Sequence, residues 1–154
     1  MSFKKLSIHT DGACSGNPGP AGIGVVIKDG DVVVKEISRA IGEATNNIAE
    51  YTALVVALEE ALKLETEEVD IKTDSELMYK QVIGEYKVKH ENMRPLFEQV
   101  KTLSTRFKKF NIAHVRREFN KEADKLSTQA IKNQTKDGRP VVADRGEESP
   151  SSKG

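Results

Sequence analysis

Cysteine is almost absent from this chain: Cys14 is the single one among 154 residues, so no internal disulfide can form and a reducing compartment suits the protein. No histidine adjoins Cys14 in sequence, which argues against a thiol nucleophile. Net charge is missing too, because 24 basic residues balance 24 acidic ones. A neutral chain has no global attraction to nucleic acid, so any basic footprint must be local. There is no internal repeat, and no run approaches the roughly 18 apolar residues of a membrane span. The opening Met1-Ser2-Phe3-Lys4-Lys5-Leu6 lacks the apolar stretch of a signal peptide. These absences lead to the expectation of a cytoplasmic protein with no membrane partner, of a size normal for one domain with its own core.

Apolar alternation and turn residues divide the chain. Residues 4–10 read as a first strand, 21–28 as a second and 32–39 as a third, with Asp29-Gly30-Asp31 as a hairpin turn. A helical pattern runs from Ile48 to about Lys63, capped by Thr45 or Asn46. Val69–Thr73 is a fourth strand, followed by a helix over 76–83 that Gly84 ends. A further helix is expected over 92–108, with Pro95 in its first turn, then a strand over 110–115 and a last helix over 121–132. The order βββ-α-β-αα-β-α predicts an α/β protein: a mixed sheet with helices packed on it. After Asn133 the composition turns to Gly138, Pro140, Gly146, Ser149, Pro150, Ser151 and Ser152. One domain is therefore expected over 1–135, with a flexible tail over 136–154.

Four carboxylates fall at telling places. Asp11 follows the first strand and Asp74 the fourth; if these strands are parallel neighbours, both side chains leave the same sheet edge. Glu50 lies in the first turns of a helix, and Asp124 near the start of the last one. Each has an ordinary reading as a cap, a solvated residue or a complement to a helix dipole. Gathered together they would repel one another unless neutralised, and oxygen ligands suit Mg²⁺ or Mn²⁺. Two such ions about 4 Å apart support phosphodiester hydrolysis.

The segments Asp11-Gly-Ala-Cys-Ser-Gly-Asn-Pro-Gly-Pro20, Thr45-Asn-Asn-Ile-Ala-Glu50, Thr73-Asp74-Ser75 and Asn120-Lys-Glu-Ala-Asp124-Lys-Leu resemble type 1 ribonuclease H. They occur in order and, with their flanks, span residues 6 to 131. The resemblance implies a ribonuclease H-like fold: a five-stranded mixed sheet, three strands antiparallel and then two parallel, with helices on both faces. It implies an endonuclease that cuts the RNA strand of RNA–DNA hybrids, leaving 5′-phosphate and 3′-hydroxyl ends. It assigns Asp11, Glu50, Asp74 and Asp124 to two Mg²⁺ or Mn²⁺ ions. It places Asn17, Asn46 and Asn47, with the backbone around Gly12, Ala13 and Cys14, toward the hybrid; Ser75, Glu76 and Asn120 join this substrate-facing set. Amide and backbone groups suit that task, because the 2′-hydroxyl both donates and accepts.

Two departures from the family pattern stand out. Many relatives carry a mobile histidine in the loop after the fifth strand. His114 has the spacing but reads as strand, whereas Arg117, seven residues before Asp124, matches a subgroup with a shortened loop. Arg117 is therefore the favoured auxiliary residue and His114 the second choice. Arginine stays charged, so it can neutralise phosphate or steer release but cannot act as a base. The second departure is the link over 84–92. It offers Lys87, Lys89 and His90 where some members insert a basic protrusion, which predicts a weaker grip on substrate. The densest basic run, Arg106, Lys108, Lys109, Arg116 and Arg117, reads either as a phosphate contact or as a solvated face. Glu59, Glu60, Glu65, Glu67, Glu68 and Asp70 form an acidic run that nucleic acid should avoid. A related nuclease of the wider superfamily and a non-catalytic hybrid-binding module are the alternatives. A monomer without an obligate protein partner is expected.

Overall fold

The computed structural model describes residues 2–133; the tail expected over 136–154 and the boundary at 135 lie outside the described residues. Five strands form one sheet: β1 (Phe3–Cys14), β2 (Gly19–Asp29), β3 (Val32–Ala44), β4 (Thr66–Thr73) and β5 (Lys109–His114). The helices are α1 (Asn46–Lys63), α2 (Glu76–Val82), α3 (Arg94–Ser104) and α4 (Lys121–Lys132), with a 3₁₀ turn over Arg117–Phe119. The spatial order is β3-β2-β1-β4-β5. β1 runs antiparallel to β2, and β2 to β3, while β4 is parallel to both β1 and β5. The expected mixed sheet is therefore present, with three antiparallel strands followed by two parallel ones.

Several elements differ in extent from the sequence expectation. β1 continues through Asp11 to Cys14 because Thr10 to Cys14 pair with Val25 to Ala21 of β2, so Asp11 lies within the strand. β3 runs to Ala44, since its ladder with β2 continues past a register shift to Gly19↔Ala44. α3 stops at Ser104 rather than Lys108; Thr105 and Arg106 make tight turn bonds to Thr102 and Leu103, and Lys108 N donates to Glu67 O to begin the sheet again. α1 starts as expected, with the Thr45 hydroxyl accepting from Ile48 N at 3.2 Å.

α1 is buried along most of its length, with Tyr51, Leu54, Val55, Leu58 and Ala61 in the core beside Leu6, Ile8, Ile23, Val25, Ile27, Val69 and Ile71 of the sheet. A helix apolar nearly all round must be covered on both sides, and α1 lies between the sheet and α3. α4 packs against β1, β2 and β3 on the opposite face. It comes very close: a Cβ on Gly24 would lie 2.1 Å from Ala123 O and 2.8 Å from Ser127 N. Across the sheet, a Cβ on Gly12 would lie 2.3 Å from the carbonyl carbon of Ala49 in α1. Both helices thus dock on the sheet through residues without side chains, which fixes their height above it.

Among the described residues no helix is long and apolar enough to cross a membrane. Since the obstacle at Gly24 is backbone, the substitution Gly24→Ala must push α4 outward. Overpacking of this kind costs about 1–3 kcal/mol or more. Urea unfolding should show that loss, and activity should fall with it, because Asp124 rides on α4.

Candidate active site

Strand register builds the site. Thr10 of β1 lies opposite Thr73 of β4 in the parallel ladder, so the next residues, Asp11 and Asp74, emerge side by side. The ladder ends there, and the Gly12 N–H beyond it donates to Glu50 Oε1 at 3.1 Å. That bond ties α1 to the strand carrying Asp11. Asp11, Glu50 and Asp74 each present an oxygen within 4.8 Å of the others, an arrangement able to hold a metal ion. Asp124, in the first turn of α4, receives Arg117 Nη2 at 3.6 Å from its Oδ1.

The electrostatics show the cost of this crowding. Burial, then the charge of Asp74 and more weakly that of Asp124, push Asp11 up to about 8 from its ordinary 3.8, although Ser127 donates to its Oδ2 at 2.8 Å. Burial and the charges of Asp11 and Asp74 hold Glu50 well above its usual range, against the Gly12 N–H and the positive charge of Arg117. Hard oxygen donors that disfavour their own ionisation so strongly fit a small divalent cation, which restores the balance.

The other expected residues fall into three groups. Asn17, Asn46 and Asn47 are exposed beside the site. Asn17 Oδ1 accepts from Asn46 N at 3.0 Å, and the Cys14 thiol donates to Asn46 Oδ1 at 3.1 Å. Burial raises Cys14, which keeps its donor proton in place. Ala13 and Cys14 are half-buried at the end of β1. Ser75 caps α2 by accepting from Met78 N at 3.2 Å, and exposed Glu76 pairs with Lys80 at 3.1 Å. His114 is the last residue of β5, opposite Thr73, its ring centroid 6.1 Å from that of Tyr79. It is held in the strand, whereas Arg117 is 80% exposed and reaches Asp124.

Three expectations need correction. Asn120 is only 1% exposed and donates from Nδ2 to Thr10 O at 2.9 Å, so its side chain is an internal tie and not a surface for substrate. Gly12 is buried with its N–H spent on Glu50, so it serves the carboxylate. The basic run does not form one patch. Lys109 starts β5 opposite Glu68, and Lys108 pairs with Glu67 at 3.5 Å, while Arg116 and Arg117 follow the other end of the strand. At ~3.3 Å per residue, the ends of β5 lie roughly 16 Å apart. Sequence reading missed Ser127; its signal is a polar residue on the apolar side of α4, among Ala123, Leu126 and Ala130.

Residues 9–130 match the family model described as Reverse transcriptase-like. The Bifunctional protein Rv2228c of Mycobacterium tuberculosis is 41% identical over 129 residues, covering 82% of this chain and 35% of that protein. The chain thus spans about a third of the first curated relatives it matches. A Ribonuclease H of Chlorobium phaeobacteroides is 37% identical over 146 residues, covering 84% of this chain and 97% of that protein. The crystal structure of LC11-RNase H1, isolated from compost, in complex with an RNA/DNA hybrid superposes with a TM-score of 0.78 at 42% identity, covering 82% of this chain and 96% of that one.

The carboxylate cluster makes a pH prediction. With metal removed, folded Asp11 keeps a proton up to about 8 that the unfolded chain sheds near 3.8. Stability is therefore fullest below the lower value and falls as pH rises toward the upper one. In chelator, Tm should drop between pH 5 and pH 8. Mg²⁺ should restore it most at pH 8, and Asp11→Asn should flatten the pH dependence. An equal pH response in wild type and Asp11→Asn would contradict this account.

Proposed function

This chain belongs to the ribonuclease H family, and from that premise we propose that it is an endonuclease hydrolysing the RNA strand of RNA–DNA hybrids to 5′-phosphate and 3′-hydroxyl ends. The observation that carries the reading is the meeting of Asp11, Glu50 and Asp74, from β1, α1 and the end of β4, within 4.8 Å. A binding module would gain from losing such a cluster, since clustered negative charge repels phosphate. Asp11, Glu50, Asp74 and Asp124 hold two Mg²⁺ or Mn²⁺ ions in this reading. When bound, these cations neutralise the carboxylates and the scissile phosphate and lower the pKa of an attacking water.

The chain's own residues do the rest. The Gly12 N–H orients Glu50 through a hydrogen bond, and Asn120 ties the start of α4 to β1. Arg117 is the auxiliary residue. It balances Asp124 from an exposed position where it can meet a phosphate, and it moves no proton because guanidinium stays charged. Asn17, Asn46 and Asn47 sense the hybrid's minor groove, where the 2′-hydroxyl marks the RNA strand. The Cys14–Asn46–Asn17 hydrogen bonds hold the turn after β1 to the start of α1 so that these amides keep one spacing. In the same reading the chain falls in the subgroup with shortened loops and no basic protrusion, and two features support this: α2 and α3 are joined by residues 83–93 alone, and β5 is followed closely by the 3₁₀ turn over Arg117–Phe119.

A labelled RNA–DNA hybrid, beside RNA–RNA and DNA–DNA duplexes, tests the reading with Mg²⁺ and with Mn²⁺. Cleavage confined to the RNA strand of the hybrid and abolished by Asp74→Asn is expected; hybrid binding without cleavage in either metal would leave only a binding module. In the same assay Arg117→Ala should lower activity by roughly 10- to 100-fold, the usual loss when a partner of a metal-holding group is removed. Arg117→Lys should recover part of it, and His114→Ala should cost less than Arg117→Ala.

A further inference from the structure

Ser127 lies one turn after Asp124 on α4 and is fully buried. Its hydroxyl has two acceptors, Asp11 Oδ2 at 2.8 Å and the carbonyl of Asp124 in its own helix at 2.9 Å. One proton serves one acceptor at a time, and the Asp11 carboxylate, once a cation holds it ionised, is the stronger of the two. The carbonyl three residues back is where a mid-helix serine ordinarily rests. What aims this serine at Asp11 is the seat of α4. Gly24 lets the Ser127 backbone settle directly on β2, and Asn120 clamps the preceding turn to Thr10, next to Asp11 in β1.

We propose that Ser127 is a positioning residue for the metal centre. By holding Oδ2, it fixes the rotation of the Asp11 carboxylate and leaves the remaining lone pairs directed at a cation shared with Glu50 and Asp74. The proposal rests on the reading of Asp11, Glu50 and Asp74 as the residues that hold metal.

The test is Mn²⁺ binding to the full chain without substrate, followed by the electron paramagnetic resonance of free Mn²⁺. Wild type, Ser127→Ala, Ser127→Cys and Ser38→Ala are compared. Ser38 is the control: its hydroxyl donates to Leu126 O at 2.6 Å, so it docks α4 without touching Asp11. Ser127→Ala should weaken Mn²⁺ binding by about 10-fold or more, with Ser127→Cys, a weaker donor, in between. The Mg²⁺ concentration for half-maximal cleavage should rise in parallel, while kcat at saturating Mg²⁺ largely recovers. Ser38→Ala should lower Tm but leave Mn²⁺ affinity unchanged. Unaltered affinity in Ser127→Ala overturns the proposal, as does an equal loss in Ser38→Ala, which would mean that only helix docking matters. Wild type failing to bind Mn²⁺ would instead overturn the metal-centre reading on which the proposal stands.

Discussion

Asp11, Glu50 and Asp74, crowded to within 4.8 Å in a partly buried notch, push one another apart, and burial together with that repulsion holds Asp11 and Glu50 back from ionising. Every nearby feature of this fold works against that repulsion. The β1–β4 register sets Asp11 beside Asp74, the Gly12 N–H draws Glu50 onto β1, and Ser127 and Asn120 lock α4 against the same strand. The energy that keeps the group together comes from elsewhere, from the core in which α1 is enclosed between sheet and α3. A site that costs stability when empty regains it on binding cation, so folding and metal affinity are thermodynamically linked.

The two helices that frame the site reach it by different means. α1 brings Glu50 as part of the core, its position determined by apolar packing over most of its length. α4 brings Asp124 on an amphipathic helix whose mostly polar outer face faces solvent. Its placement depends on close backbone approach to β2 and on a few hydrogen bonds to β1. Asp124 therefore sits at the solvent side of the group, where Arg117 meets it.

Much of this was legible in the sequence because it is local or periodic. Strand alternation placed Asp11 and Asp74 near strand ends, and the shift to helical spacing after Thr45 placed Glu50. What failed was inference from adjacency. Lys108, Lys109, Arg116 and Arg117 look like one basic patch on paper, yet a strand runs between them and carries the pairs apart. Asn120 belongs to the same short motif as Asp124, but it precedes the first turn of α4 with a non-helical backbone, and its side chain turns inward to Thr10 while Asp124 stays at the site. Ser127 could not be assigned, because its role depends on a hydrogen bond across 116 positions of sequence.

β2 shows how such a sheet can be encoded without polarity. From Ala21 to Ile27 every residue is buried, so the usual inside-outside alternation of apolar and polar residues is lost. Volume takes its place. Ile23, Val25 and Ile27 point to the α1 side, while Gly22 and Gly24 lie beneath α4. A slip of one residue would exchange the glycines with Ile23 and Val25, which would drive branched side chains into the α4 backbone and leave voids under α1. Over Gly22 to Val25 the parity of the strand is thus written in size, and it is the two glycines that forbid the alternative pairing.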